Sequence, residues 1–456
     1  MQVGLLPKDL GAAVETATGA TIIAITPRGG GGASREGAEL QLRWADGRSE
    51  RAYMNYDVHR AGAGDDAAFL REAAILRAFS GSLKHLGVLT APFIAAIPKR
   101  RALISGFVGG EANFNKLTNT DERLAVARNF MTQLALLHRI DVAANPIEGM
   151  GTPEPVEATI RRRITALRAS NTGTAWDPLI HLALDWLSNN VPASMPAPVI
   201  VHGDAGPANF LYADGKVTAL LDWELVHYGD PMADLAMLCL RDLFQPFVPM
   251  QQAFGAYDEA GGHRVDLGRV RYWRLLFQTG FARATRLNDP DAPPPPNLGM
   301  NLIYSTIHRR VLSEALAEVA GVPLSSIVLP DLPQGPRHRA FTLALDDVRA
   351  TIVPRLSDER AAVKAKGLAR LIKYWRDIER YEPTFKKAEC AEINAALGTD
   401  FVDCDAAWAA FCEAVQAGTC DPSAAIRLCN VHEARHAALM ADAMGGLALA
   451  RFAALE

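Results

Sequence analysis

The sequence predicts an α+β fold: a small antiparallel sheet with one helix, then a mainly helical region, then an appended all-helical C-terminal module. Three observations carry this expectation. Runs of β-branched or alternating apolar residues are confined to about the first 110 residues and to a short stretch near 199–221. Within that stretch, Asp214-Gly215 separates the apolar runs 210–212 and 217–221, a strong short-range hairpin signal. Elsewhere apolar side chains recur at helical spacing, and beyond the Pro-rich segment 325–337 the chain reads as helix throughout. The expected division is 1–108, 109–325 and 338–456.

Composition sets the outer bounds. A chain of 456 residues is too long for one ordinary core. Hydrophobic residues at 49% and charged residues at 21% are those of a soluble globular protein. A net charge of −4 gives no electrostatic footprint for nucleic acid. Acidic residues near the N-terminus oppose a signal peptide, and no apolar run reaches membrane-spanning length. Six cysteines without a CxxC pair fit a reducing compartment. The expected location is therefore cytoplasmic, with neither nucleic acid nor membrane as partner.

In chain order, residues 5–17 read as a short amphipathic helix. Strands are expected at 21–26 (TIIAIT), 38–44 and 51–56 (RAYMNY). Between the first two lies PRGGGGASREG, where Gly29, Gly30, Gly31, Gly32 and Ser34 would let backbone N–H groups approach phosphate oxygens without a Cβ in the way. Phe69, Ala73, Leu76 and Phe79 place a helix over 66–80, and 103–110 (LISGFVGG) reads as strand into turn. Val126, Phe130, Leu134 and Leu137 form a helical stripe ending at His138, a residue type more often buried and hydrogen-bonded than catalytic. Helices follow at 158–168 and 178–187, then a buried strand at 199–201. Beyond the hairpin, helices are expected at 235–244, 253–261 and 267–287, with a Pro-rich loop at 289–297. The last module should hold helices at 340–356, 358–382, 388–397, 406–417 and 422–454.

The chemistry concentrates in residues 201–234, VHGDAGPANFLYADGKVTALLDWELVHYGDPMAD. The hairpin would fold Asp222 back beside Asn209, so that oxygen-bearing groups from two connected loops converge with Asp204. A hydroxyl attacking a γ-phosphate needs a carboxylate to orient it and take its proton, a role Asp204 suits. A triphosphate needs Mg²⁺, a hard cation that prefers oxygen ligands and few protein groups, which Asn209 and Asp222 would supply. The Asp204-to-Asn209 spacing equals that of the protein kinase catalytic loop.

These residues resemble the aminoglycoside phosphotransferase and choline kinase-like group of small-molecule kinases. The resemblance rests on H-G-D-x-x-x-x-N at 202–209, L-D-W-E at 221–224 and G-D-P-x-x-D-L-A at 229–236, and runs from about residue 15 to about 315. It implies a two-lobed protein kinase-like fold binding ATP and Mg²⁺, with Asp204 as catalytic base and Asn209 and Asp222 as metal ligands. Asp230 and Asp234 would brace the catalytic loop or cap the next helix. The glycine run resembles the nucleotide-covering G-G-x-S-R-E loop of one branch. Glu72 falls where the first-lobe helix glutamate sits, and Phe107 and Val108 fall at the hinge that would hydrogen-bond adenine. The acceptor would be a small-molecule alcohol. Because Arg274, Arg283 and Arg286 give no sign of an acidic pocket for a polycation, a catabolic or biosynthetic alcohol kinase is expected. The helical extension beyond 338 is absent from simple members and would pack on the kinase lobe or form a homodimer interface.

One position departs from the resemblance. The third strand should carry a Lys or Arg for the α- and β-phosphates, and the sequence has Asn55 there, which brings no charge. Arg28, His59 and Arg60 are candidates for the missing cation, and a nucleotide-binding pseudokinase is the alternative reading. A competing motif, His432-Glu433-Ala434-Arg435-His436, matches H-E-x-x-H on a predicted helix and would suit a zinc site. Its ordinary reading is helix-surface charge. A protein kinase is disfavoured, since D-F-G and A-P-E are missing.

Overall fold

The computed structural model describes residues 6, 9–28, 35–57, 67–284, 295 and 297–455, apart from the side chains of residues 174, 283 and 284. The expected phosphate-cradle residues Gly29, Gly30, Gly31, Gly32 and Ser34, with His59, Arg60 and Arg286, lie outside this description, as does the side chain of Arg283.

Helix α1 (Leu10–Thr18) ends where Gly19 takes a left-handed φ of 72°. Strands β1 (Thr21–Arg28), β2 (Glu36–Arg43) and β3 (Ser49–Tyr56) follow, then α2 (Ala67–Ser80), β4 (Phe93–Ile97) and β5 (Ala102–Gly106). The five strands form an antiparallel sheet in the order β1-β2-β3-β5-β4. Strict alternation sets its core: Leu40 and Leu42 of β2, Met54 and Tyr56 of β3 and Ile104 of β5 share a buried cluster with Leu10 and Val14 of α1. Residues 37, 39 and 41 of β2 and 51, 53 and 55 of β3 therefore occupy the opposite face.

Next come α3 (Thr120–His138), α4 (Val156–Ala169) and α5 (Pro178–Asn189). The site-bearing segment is built of β6 (Val199–Val201), β7 (Phe210–Ala213), β8 (Lys216–Leu220) and β9 (His227–Gly229). Asp214 and Gly215 turn the β7–β8 hairpin with φ of 49° and 75°, the left-handed pair that the Asp-Gly signal anticipates. Then follow α6 (Pro231–Asp242), α7 (Met250–Glu259), α8 (Leu267–Ala284), α9 (Leu298–Ala320), α10 (His338–Asp346), α11 (Glu359–Leu397), α12 (Cys404–Gln416) and α13 (Pro422–Met444). Three helices start on an Asp-Pro step, with Asp177, Asp230 and Asp421 capping backbone N–H groups and the proline at the first helical position.

Sequence reasoning split α11 at its proline. Instead Pro383 lies inside one 39-residue helix, because packing against α9 and α13 outweighs the single lost hydrogen bond. The chain forms two compact units: Met1–Thr159 with Ser194–Leu267 and Ala453–Glu456, and Ile160–Ala193 with Gly268–Phe452. The expected segments 1–108, 109–325 and 338–456 follow composition. Packing instead groups α5, α8 and α9 with the C-terminal helices. Among the described residues, no helix is long and apolar enough to cross a membrane.

Candidate active site

The site is anchored from below by α6. Asp230 caps the helix through Met232 N, which sets Asp234, fully buried, in its first turn. The Asp234 carboxylate accepts from His202 N and Gly203 N, each at 2.8 Å, and meets His138 Nε2 at 3.0 Å. Burial alone would raise its pKa, but the His138 hydrogen bond, the nearby imidazoles and Gly203 N–H hold it below the usual value. His138 in turn lies 2.8 Å from the Tyr257 hydroxyl through Nδ1, so it is a buried structural histidine.

This clamp forces the chain through a tight turn. Gly203 has φ +86°, and a Cβ there would lie 2.2 Å from the Leu225 carbonyl oxygen, so no other residue fits. The His202 ring is buried and held neutral by desolvation. Its Nε2–H donates to Leu221 O at 2.9 Å, and its Nδ1 accepts from Asp204 N at 3.3 Å. One imidazole thus links the loop carrying Asp204 to the loop carrying Asp222.

Asn209 completes the junction. Its Nδ2 donates to both the backbone oxygen and Oδ2 of Asp204, each at 2.8 Å, and its carbonyl accepts from Leu221 N at 2.8 Å. Asp222 follows directly, in a left-handed conformation with φ 61°. Burial, then the neighbouring Glu224 and Asp204, push its carboxyl up to about 6. The structure thereby brings Asp204, Asn209 and Asp222 onto adjoining loops.

Two arginines at the site escaped sequence reasoning. Arg241, on the last turn of α6, donates through Nε to Asp204 Oδ1 at 2.8 Å and through Nη2 to Oδ2, a two-pronged contact. It comes close because Gly206 (φ +147°) lacks the Cβ that would stand 2.8 Å from the Arg241 Cβ. The signal was present: Arg241 lies seven residues, two helical turns, beyond Asp234 and so shares its face. The second is Arg35, whose Nη2 lies 2.7 Å from Glu72 Oε2 and 3.4 Å from Glu224 Oε2. Glu72 is therefore paired, with its carboxyl pushed up to about 7 chiefly by burial. Arg28 pairs with Glu39.

Asn55 sits on β3 opposite Gly37. At the hinge, the Phe107 amide donates to Arg51 O at 3.0 Å, so that N–H belongs to the sheet, and Val108 follows it half-buried. Arg274, noted in the sequence as giving no sign of an acidic pocket, is buried, ion-paired with Glu318 and stacked on Phe452. The H-E-x-x-H residues do not converge. His432 meets Glu389, Glu433 pairs with Arg309, and His436 meets the Tyr374 hydroxyl. Among the described residues, no group of three or more His, Cys, Asp or Glu could hold a metal ion, so the zinc reading is withdrawn.

Residues 48–273 match the family described as "Phosphotransferase enzyme family". A Ralstonia eutropha protein named as a candidate aminoglycoside phosphotransferase superposes with a TM-score of 0.52 at 20% identity, over 68% of this chain and 97% of its own. A thermostable mutant of aminoglycoside phosphotransferase APH(4)-Ia, in ternary complex with AMP-PNP and hygromycin B, superposes with a TM-score of 0.50 at 16% identity, over 69% and 100%. These likenesses establish the two-lobed kinase-like α+β fold. Among curated proteins, acyl-CoA dehydrogenase family member 11 of Rattus norvegicus is 29% identical over 133 residues, 28% of this chain and 17% of that protein. Its Gallus gallus counterpart is 31% identical over 107 residues, 23% and 13%. The match thus spans less than a fifth of these relatives' length.

Proposed function

Since residues 48–273 match the phosphotransferase enzyme family, we propose that this chain moves the γ-phosphate of ATP to a hydroxyl of a small molecule, with Asp204 as the base. One observation carries the reading: Asn209 joins the Asp204 and Asp222 loops, its Nδ2 donating to Asp204 and its backbone carbonyl accepting from Leu221 N, both at 2.8 Å. Glu224 and Asp204 raise the cost of ionising Asp222, negative charge that a bound divalent cation would offset. Asn209 and Asp222 would hold Mg²⁺, which supplies charge neutralisation to the phosphates when bound. The Asn209 amide fits that part, since its Nδ2 donates to Asp204 and an amide oxygen is a hard ligand of the kind Mg²⁺ prefers.

The protein's own residues do the rest. Arg241 and Asn209 fix the Asp204 carboxylate in one orientation, and the incoming hydroxyl takes the place of one of those donors. Asp204 then accepts the hydroxyl proton as the oxygen attacks the γ-phosphorus in line, while the bond to the β–γ bridging oxygen breaks and ADP leaves. The relatives' acyl-CoA dehydrogenase names favour a hydroxyacyl acceptor over an aminoglycoside. ATP turnover against hydroxyacyl thioesters, simple alcohols and aminoglycosides tests this. Transfer to a hydroxyacyl compound, abolished by Asp204→Asn, supports the reading. Nucleotide binding without transfer to any acceptor supports the pseudokinase alternative that Asn55 raises.

A further inference from the structure

The absent strand cation leaves a question that the β2–β3 register answers. Gly37 pairs directly with Asn55, so both lie on the sheet face away from the α1 core. Arg35, two residues before Gly37, continues that alternation and becomes a diagonal neighbour of Asn55. Its long side chain reaches the ground that a lysine at position 55 would cover, and it meets Glu72 of α2 at 2.7 Å. The Arg35 side chain is only 11% exposed, yet among the described residues its buried Nη1 has no hydrogen-bond partner. It borders a cavity of about 70 Å³ also lined by Asp57, Glu72, Arg101 and Glu224. A buried guanidinium N–H is rarely left unmatched, and the arginine fork suits phosphate oxygens.

We propose that Arg35 replaces the missing third-strand lysine, held by Glu72 through Nη2 while Nη1 hydrogen-bonds an α- or β-phosphate oxygen of the nucleotide. The charge then comes from the residue just before β2 instead of from β3, and meets the same glutamate on α2. This inference rests on the nucleotide reading above.

Calorimetric titration of the full chain with ADP and with adenosine, both with Mg²⁺, tests it. The wild type must bind ADP; if it does not, the nucleotide reading itself fails. Given that binding, Arg35→Met should weaken ADP by about tenfold or more while adenosine changes little, the loss of one charge-assisted phosphate contact. Adding Asn55→Lys to Arg35→Met should recover threefold or more, by returning a cation to the strand. Should Arg35→Met fail to fold, Arg35→Gln is read by the same ADP-to-adenosine ratio. An unchanged ratio in the folded variant overturns the inference, as does an equal loss for both ligands.

Discussion

Asp204 has both carboxylate oxygens engaged, one by Arg241 Nε and the other by Arg241 Nη2 and Asn209 Nδ2. A base held this way is oriented in advance, and removing its negative charge should be felt in rate rather than in folding. Asp204→Asn is expected to lower kcat by about 10²–10⁴-fold with an unaltered circular dichroism spectrum. A kcat within threefold of wild type would show that another group takes the proton. Gly203 makes the opposite case, because its contribution is to the backbone. At φ +86°, with a Cβ meeting the Leu225 carbonyl at 2.2 Å, Gly203→Ala should lower stability by roughly 1–3 kcal/mol in urea unfolding and displace Asp204.

At the scale of elements, α9 shows how neighbouring residues serve different ends. Arg309 reaches Asp177 at the cap of α5 and Glu433 on α13, at 2.7 and 2.6 Å, and so joins three helices of one unit. With Glu433 only 3% exposed, Arg309→Met leaves a buried carboxylate without its cation, at an expected loss of roughly 3–5 kcal/mol. A Tm unchanged within a degree would refute that network. His308, one residue earlier, stacks on Phe281 and contacts Gln278. Burial pushes its imidazole from 6.5 down to about 4, so between those values the unfolded chain takes up a proton that the folded chain refuses. The stability from neutral His308 is therefore full above about pH 6.5 and lost as pH falls toward 4. His308→Gln should flatten that part of the acid limb, seen as a smaller Tm drop from pH 7 to pH 5 than in wild type.

For the whole molecule, two compact units imply that unfolding is not one all-or-none event. Differential scanning calorimetry should resolve two transitions, with Arg309→Met identifying the unit that holds α9 and α13. ADP with Mg²⁺ at about a hundred times its Kd should stabilise the other transition by about 2.7 kcal/mol. A nucleotide that raised only the α9–α13 transition would contradict the proposed site. A homodimer through the C-terminal helices, one of the two roles expected for them from the sequence, would use exposed apolar groups such as Leu368 and Trp375 of α11. Trp375→Glu should then lower the mass measured by sedimentation.

The sequence by itself determined the parts whose causes are local. His202, Asp204 and Asn209 sit on the loop between β6 and β7, and the Asp214-Gly215 turn of the β7–β8 hairpin returns Asp222 beside them. Asp-Pro caps and alternating strands were legible for the same reason, since each depends on its own few neighbours. Tertiary structure alone decided which cation meets Glu72, which side chain grips Asp204 and which partners scatter the H-E-x-x-H residues. It also joined residues 160–193 to the C-terminal helices. Those outcomes pair groups tens or hundreds of residues apart, where strand register, helix face and burial choose the partner and spacing along the chain carries no such information.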